Sequence, residues 1–275
     1  MKTKSIVTLI AVTLSLIGIT GSVQAQIKAV DLVAFNTGTV TTNLGTVTFN
    51  FDQQQPSGTG VLDPFVRIQQ NGEEQGYNTT QPNAGSYGFD EKHGSFTHDV
   101  TTNSLLDHDF DGKYEFVLDL GEPVSGTDSL LSLDGLKLWS TNIPGQNDNT
   151  VDSNGNWVGP ADATLLWDLD ADIAGVYKDQ YILLDANKLG NPGNGVSDML
   201  MEVPVNIINA GTETHFILWS RFGVEHVPAT LGADSFGTFE EWATVVPEPS
   251  TYGLFGAGAL TLLVAFRRFK RRKHS

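Results

Sequence analysis

Tyr114-Glu115-Phe116-Val117-Leu118-Asp119-Leu120 is the stretch whose reading decides the fold. Tyr114, Phe116, Leu118 and Leu120 alternate with the acids Glu115 and Asp119. A period of two places alternate side chains on opposite faces of a strand, so this pattern marks a half-buried antiparallel strand. Working outward, short apolar runs recur every ten to fifteen positions between Gly, Asn, Asp, Ser and Thr. They predict strands at residues 45–51, 65–70, 95–100, 129–139, 163–169, 180–185, 199–205, 214–222 and 237–242. In the 129–139 run, Leu131, Leu133, Leu136 and Leu138 nearly alternate, and the break at Asp134-Gly135 reads as a bulge or a tight turn. Only residues 185–189 and 236–242 have any helical look. Many short strands with turn signals between them predict an all-β fold, an antiparallel two-sheet β-sandwich.

The loops at 53–60, 71–88, 142–160 and 187–197 are rich in Pro, Gly and Asn. Residues 146–159 form the longest polar insertion and the best candidate for a mobile loop. No internal repeat at a fixed period is visible, which argues against a solenoid or propeller.

The two ends belong to handling rather than to the fold. Lys2 and Lys4 precede an apolar run at 6–19, and Val23-Gln24-Ala25 supplies small residues before a cut ahead of Gln26. Residues 1–25 therefore read as a secretory signal peptide. Near the other end stands Val246-Pro247-Glu248-Pro249-Ser250, and no residue from 249 to 266 is charged. Eighteen helical residues span roughly 27 Å, against a hydrocarbon core of about 30 Å. Arg267, Arg268, Lys270, Arg271, Arg272 and Lys273 follow directly, placing the basic tail in the cytoplasm by the positive-inside rule. The expected organisation is a signal peptide at 1–25 and an exported β-sandwich at 26–243. A sorting segment at 244–275 completes it, with one transmembrane helix at about 251–266 and a basic tail at 267–275.

This triplet, apolar span and Arg cluster together resemble the PEP-CTERM sorting domain of Gram-negative bacteria that make exopolysaccharide. The resemblance rests on Pro247, Glu248 and Pro249 with Arg267, Arg268, Arg271 and Arg272. It implies recognition by the membrane protease exosortase, with a cut near the Pro-Glu-Pro. The route it implies is Sec-type export, transient anchoring in the inner membrane, then release to the periplasm, cell surface or extracellular matrix. Residues 62–70, Gly76-Tyr77-Asn78-Thr79, Phe96-Thr97-His98, residues 129–138, 193–199 and 219–223 resemble a β-rich ectodomain type that accompanies this signal. So do Asp234-Ser235-Phe236 and Phe239-Glu240-Glu241-Trp242. That second resemblance implies a secreted β-rich domain and no activity.

Between residues 26 and 246, eight Lys and Arg face 31 Asp and Glu, a formal charge of −23. Such a surface repels nucleic acid and anionic lipid and favours divalent or cationic partners. The chain has no cysteine, which excludes disulfides, thiol chemistry and Cys-ligated metals.

Asp107-His108-Asp109-Phe110-Asp111-Gly112 sets three carboxylates at alternate positions before a Gly, the beginning of a calcium loop. The twelfth position is Leu118 instead of Glu, so completion would fall to Glu115 or a distant loop. The other reading is a solvated acidic turn. Two weaker relatives, Asp152/Asn154/Asn156 and Asp168/Asp170/Asp172, read as turns. His93, His98 and His108 lack a metal-ligand spacing. Gly-x-Ser-x-Gly, His-Glu-x-x-His and Walker A patterns are absent. Trp139, Trp167 and Trp219 sit in apolar runs and read as core. Trp157 stands in the Asn/Gly loop, where contact with a glycan and loop packing are both open readings. The expectation is a non-enzymatic exported protein associated with exopolysaccharide, with calcium as its cofactor if the Asp107 loop closes. A carbohydrate-binding module is the alternative, and a glycan hydrolase or lyase a more distant one.

Overall fold

The computed structural model describes residues 27–51, 62–81, 88–92, 94–107, 109–123, 129–188, 197–223, 235–245 and 260–262. Among them the early strands are β1 (Ile27–Asp31), β2 (Thr37–Thr42), β3 (Gly45–Asn50), β4 (Leu62–Ile68), β5 (Asn71–Gly72), β6 (Glu74–Tyr77) and β7 (Val100–Thr101). Then come β8 (Lys113–Leu120), β9 (Leu130–Thr141), β10 (Thr164–Asp168), β11 (Gln180–Asp185) and β12 (Met199–Pro204). The last are β13 (His215–Phe222), β14 (Ser235–Phe236) and β15 (Glu240–Val245). Among the described residues, helix is confined to a 3-10 turn at Thr102–Ser104, the single turn α1 (Val205–Ile208) and residues 260–262.

Two sheets form. The first runs β1-β11-β9-β13-β6, with β10 also on β9 and β7 on β13; the second runs β2-β3-β12-β8-β15-β4. β5 and β14 pair as a separate ribbon. The expected sandwich is antiparallel with one exception, because β1 runs parallel to β11. From β1 the chain passes to β2 in the other sheet, so β1 joins an edge that a much later strand supplies.

The core lies between the sheets. Leu133, Leu136, Ile182, Phe216 and Leu218 from the first sheet share one cluster with Phe49, Phe116, Leu118, Met201 and Trp242 from the second. Phe116 stacks on Phe216 at 5.1 Å, and the Trp242 indole N–H donates to the Ser220 hydroxyl at 3.0 Å. In β8 the alternation works as read, with Phe116, Leu118 and Leu120 in this core. Val117 joins a smaller cluster with Leu200 and Ala243.

The break in β9 is a bulge. Arg221 pairs with Gly135 and Phe222 with Leu133, so Asp134 is the extra residue. One extra residue shifts the face parity by one, which is why the odd pair Leu131/Leu133 and the even pair Leu136/Leu138 both reach the core. Gly135 is required there, since a Cβ would lie 2.6 Å from the Trp219 ring.

Several expectations change. At 95–100 only Val100 is in a strand, while β1, β2 and β6 were not expected. The helical look of 236–242 gives way to β14 and β15, and Asp185 ends β11. Packing between sheets overrides that weak local preference. The loop at 146–159 is anchored rather than free, for the Tyr77 hydroxyl donates to the Asp148 carbonyl at 3.0 Å and Thr79 donates to the Gln146 carbonyl at 2.6 Å.

A hairpin within that segment has an unexpected likeness to the next one along the chain. The hairpin at 150–158 and the hairpin at 170–178 have the same bonds twenty residues apart. Asp152 N–H donates to Asn156 O at 2.9 Å, and Asp172 N–H to Val176 O at 3.0 Å. The Asp152 carboxylate accepts from Asn154 and Asn156, and the Asp172 carboxylate from Ala174 and Val176. Gly155 and Gly175 both have positive φ, 82° and 72°. Asn156 touches the second hairpin, its amide reaching Asp170 at 3.3 Å and the Tyr177 hydroxyl at 3.4 Å.

The signal peptide, the Pro-Glu-Pro and the basic tail lie outside the described residues, as does most of 251–266. No helix among the described residues is long and apolar enough to cross a membrane.

Candidate cation site

The Asp107 loop leads into β8. Buried Leu105 fixes its start, and Phe110 and Gly112 both take positive φ, 62° and 87°, to turn it back. The turn brings one oxygen from each of Asp107, Asp109 and Asp111 within 4.8 Å of the others. Backbone N–H groups hold them there. The Asp111 N–H donates to Asp107 at 3.1 Å and to Asp109 at 3.2 Å, and the Gly112 N–H donates to Asp107 at 3.0 Å.

Like charges at this separation need a counter-charge. Lys113 supplies one, 2.8 Å from Asp111 and 2.7 Å from Glu202. Its ammonium holds the Asp111 carboxyl below the usual carboxylate range. Glu202 is fixed further by the Asn50 amide at 2.6 Å. Glu115, paired across β8 and β12 with Glu202, is pushed up to about 7 by burial and then by the charges of Asp109, Glu202 and Asp111. Five carboxylates thus gather at the loop and its strand partners, and the one lysine among them pairs with Asp111 and Glu202. An all-oxygen set of this kind suits a hard divalent cation rather than a transition metal. Glu115 enters the field of the loop but not its converging group. Leu118 points into the core, so the bidentate closing ligand of an EF-hand is missing.

The other acidic spacings do not converge. Asp168 faces Lys137 at 3.8 Å. Burial pushes Asp170 up to about 8, and it accepts from the Gln180 N–H at 2.8 Å. Asp152 and Asp172 each serve their own hairpin tip. The His98 ring lies 3.2 Å from the Ser95 carbonyl, while His93 and His108 are outside the described residues.

The glycan reading of Trp157 is corrected. Its ring is fully buried, stacked on Tyr77 at 4.1 Å with 4° between the planes and edge-on to Trp139 at 6.3 Å. No face is left for a sugar. The sequence reading missed Lys113 and Glu202 as members of the acidic site. Lys113 stands two positions after Asp111, whereas the only signal for Glu202 was strand register, which places it opposite Glu115.

The PEP-CTERM protein-sorting motif matches residues 245–272. Pro247, Glu248, Pro249, Arg267, Arg268, Arg271 and Arg272 all fall within that match. The chain therefore carries the sorting signal of a secreted, envelope-directed exosortase substrate. No curated protein and no solved structure matches the chain.

Proposed function

We propose that this protein is a non-enzymatic component of the cell surface or extracellular matrix, released by exosortase and associated with exopolysaccharide. The observation that carries the reading is the sorting motif at 245–272. In this reading the apolar span 251–266 anchors the chain in the inner membrane with its basic tail in the cytoplasm, until the backbone near Pro247–Pro249 is cut. The formal charge of −23 between residues 26 and 246 supports a partner reached through cations instead of one bound directly through acidic sugars. Calcium held by Asp107, Asp109 and Asp111 would supply that bridge. Burial-shifted carboxyls at Glu91, Asp170 and Asp198 accept backbone N–H bonds inside the fold, which supports a structural role for them. The carbohydrate-module alternative loses its anchor with the burial of Trp157.

The test changes Pro247, Glu248 and Pro249 together to Ala. No apolar or basic residue of the anchor is altered, so insertion should persist while the protein stays uncut in the inner membrane. Fractionation with antibodies to the exported region and to a C-terminal tag reads both. Normal delivery and normal loss of the tag in the triple variant would sink the proposal.

A further inference from the structure

β15 runs antiparallel to β8, with Glu240 opposite Leu120 and Thr244 opposite Phe116. Its last residue, Val245, therefore leaves the second sheet at the end where β8 begins. Three turns share that end. The Asp107 loop enters β8 there, and the Val205 N–H of α1 donates to the Gly112 carbonyl at 3.0 Å. The β2–β3 turn lies at the same end, since Thr48 pairs with Glu202 and β3 starts beside the last residues of β12. In that turn the Asn43 N–H donates to the Asp172 carbonyl at 2.9 Å, which fixes the 170–178 hairpin alongside.

These turns hold large apolar side chains in solvent. Phe110 is 84 % exposed, at the tip of the turn whose N–H groups bond Asp107 and Asp109. Leu44, Leu106, Ile173 and Val176 are exposed too, Ile173 to 74 %. Apolar residues exposed singly are ordinary, but five from three turns at one end of the fold form an uncovered rim. Chain length says what covers it. Only residues 246–250 separate Val245 from the apolar span 251–266. Fully extended, they reach no further than roughly 20 Å. With that span in a bilayer, this end of the sandwich stays at the membrane face. The opposite end stands further out by the eight residues of β8, about 27 Å. So short a tether also gives a millimolar effective concentration, enough for a rim too weak to hold a free domain.

We propose that Phe110, with Leu44, Leu106, Ile173 and Val176, docks in the headgroup region of the bilayer that holds the 251–266 span. This docking rests on the anchoring of that span in the inner membrane. Apolar side chains gain burial at the boundary of headgroups and acyl chains. The acids of the Asp107 loop repel anionic lipid, so the rim favours zwitterionic headgroups. Pro247 follows Val245 by two residues, so docking keeps the backbone to be cut close to the membrane face. The cut removes the tether and its effective concentration, and the domain then leaves the bilayer.

The experiment reconstitutes the full-length protein in phosphatidylcholine vesicles, with or without brominated acyl chains that quench indole fluorescence on contact. The five native tryptophans are at most 8 % exposed, so the wild-type protein sets a low background. Phe110→Trp puts a probe on the rim, and Ile173→Trp repeats the measurement from a separate turn. Phe35→Trp is the control, because Phe35 is 65 % exposed and lies just before Thr37, which pairs with Asn50 at the far end of β3. Brominated lipid should quench the indoles at 110 and 173 by at least about twofold over background and leave that at 35 unchanged. Flotation with the vesicles but no quenching at 110 and 173 overturns the docking and leaves the anchoring standing. Equal quenching at 110 and 35 also overturns it, because the domain then has no fixed face toward the membrane. Failure of the wild-type protein to float with the vesicles overturns anchoring and docking together.

Discussion

Trp157 carries the sharpest difference between local sequence and environment. Its neighbours are Asn154, Gly155, Asn156, Val158 and Gly159, which read as an open loop. Its actual neighbours are Tyr77 and Trp139, brought in from β6 and β9. Trp157→Ala should cost about 3–5 kcal/mol, the range for an aromatic removed from a core. Chemical denaturation would measure it, and polysaccharide co-sedimentation per folded molecule should not change. Loss of binding with no loss of stability would restore the glycan reading. Asp134 and Gly135 behave differently. Their break in the alternation was visible, and its meaning followed from the need to put four leucines on one face.

Among elements, β8, β9, β11 and β13 were legible because their inward residues are large and apolar. β2 was not, since Thr37-Gly38-Thr39-Val40-Thr41-Thr42 offers one apolar side chain and gains its place by pairing with β3. The twin hairpins escaped detection for a related reason. They share Asp, Gly and an aromatic ring at three positions, too few to register as a repeat, yet these fix the same bonds. The first orients buried Asn156 and Trp157, while the second ends in exposed Ile173 and Val176. Asp152→Ala should therefore cost about 1–2 kcal/mol, chiefly by leaving the part-buried Asn156 N–H unpaired, since the exposed Asn154 N–H can turn to water. Asp172→Ala should cost less, and Asp152→Asn should be tolerated because its carbonyl still accepts. Thermal melts of the three variants would check this, and equal losses at 152 and 172 would count against a structural role for the first hairpin.

At the scale of the whole molecule, the excess of acid reaches the interior. Burial pushes Asp198 up to about 8, with Asp119 and Asp185 adding to it, against an ordinary value near 3.8. The folded state then binds more protons than the unfolded state between about pH 4 and 8, so stability falls as pH rises through that window. Asp170, at about 8, and Glu91, at about 7, act in the same direction. Tm should be higher at pH 5 than at pH 8.5. Asp198→Asn keeps an acceptor for the Leu120 N–H and should flatten the slope. An identical slope in the variant would show that Asp198 is not among the groups responsible. The sequence by itself determined the all-β class and the sorting signal, because a period of two is local and the 245–272 motif is a linear segment. It also disclosed the Asp107 loop, whose three carboxylates converge within five residues of backbone. Only the tertiary structure decided that Trp157 is core and that β15 leaves the fold beside the Asp107 loop. Those contacts join strands far apart in the chain, and they depend on the register within each sheet and the stacking of one sheet on the other.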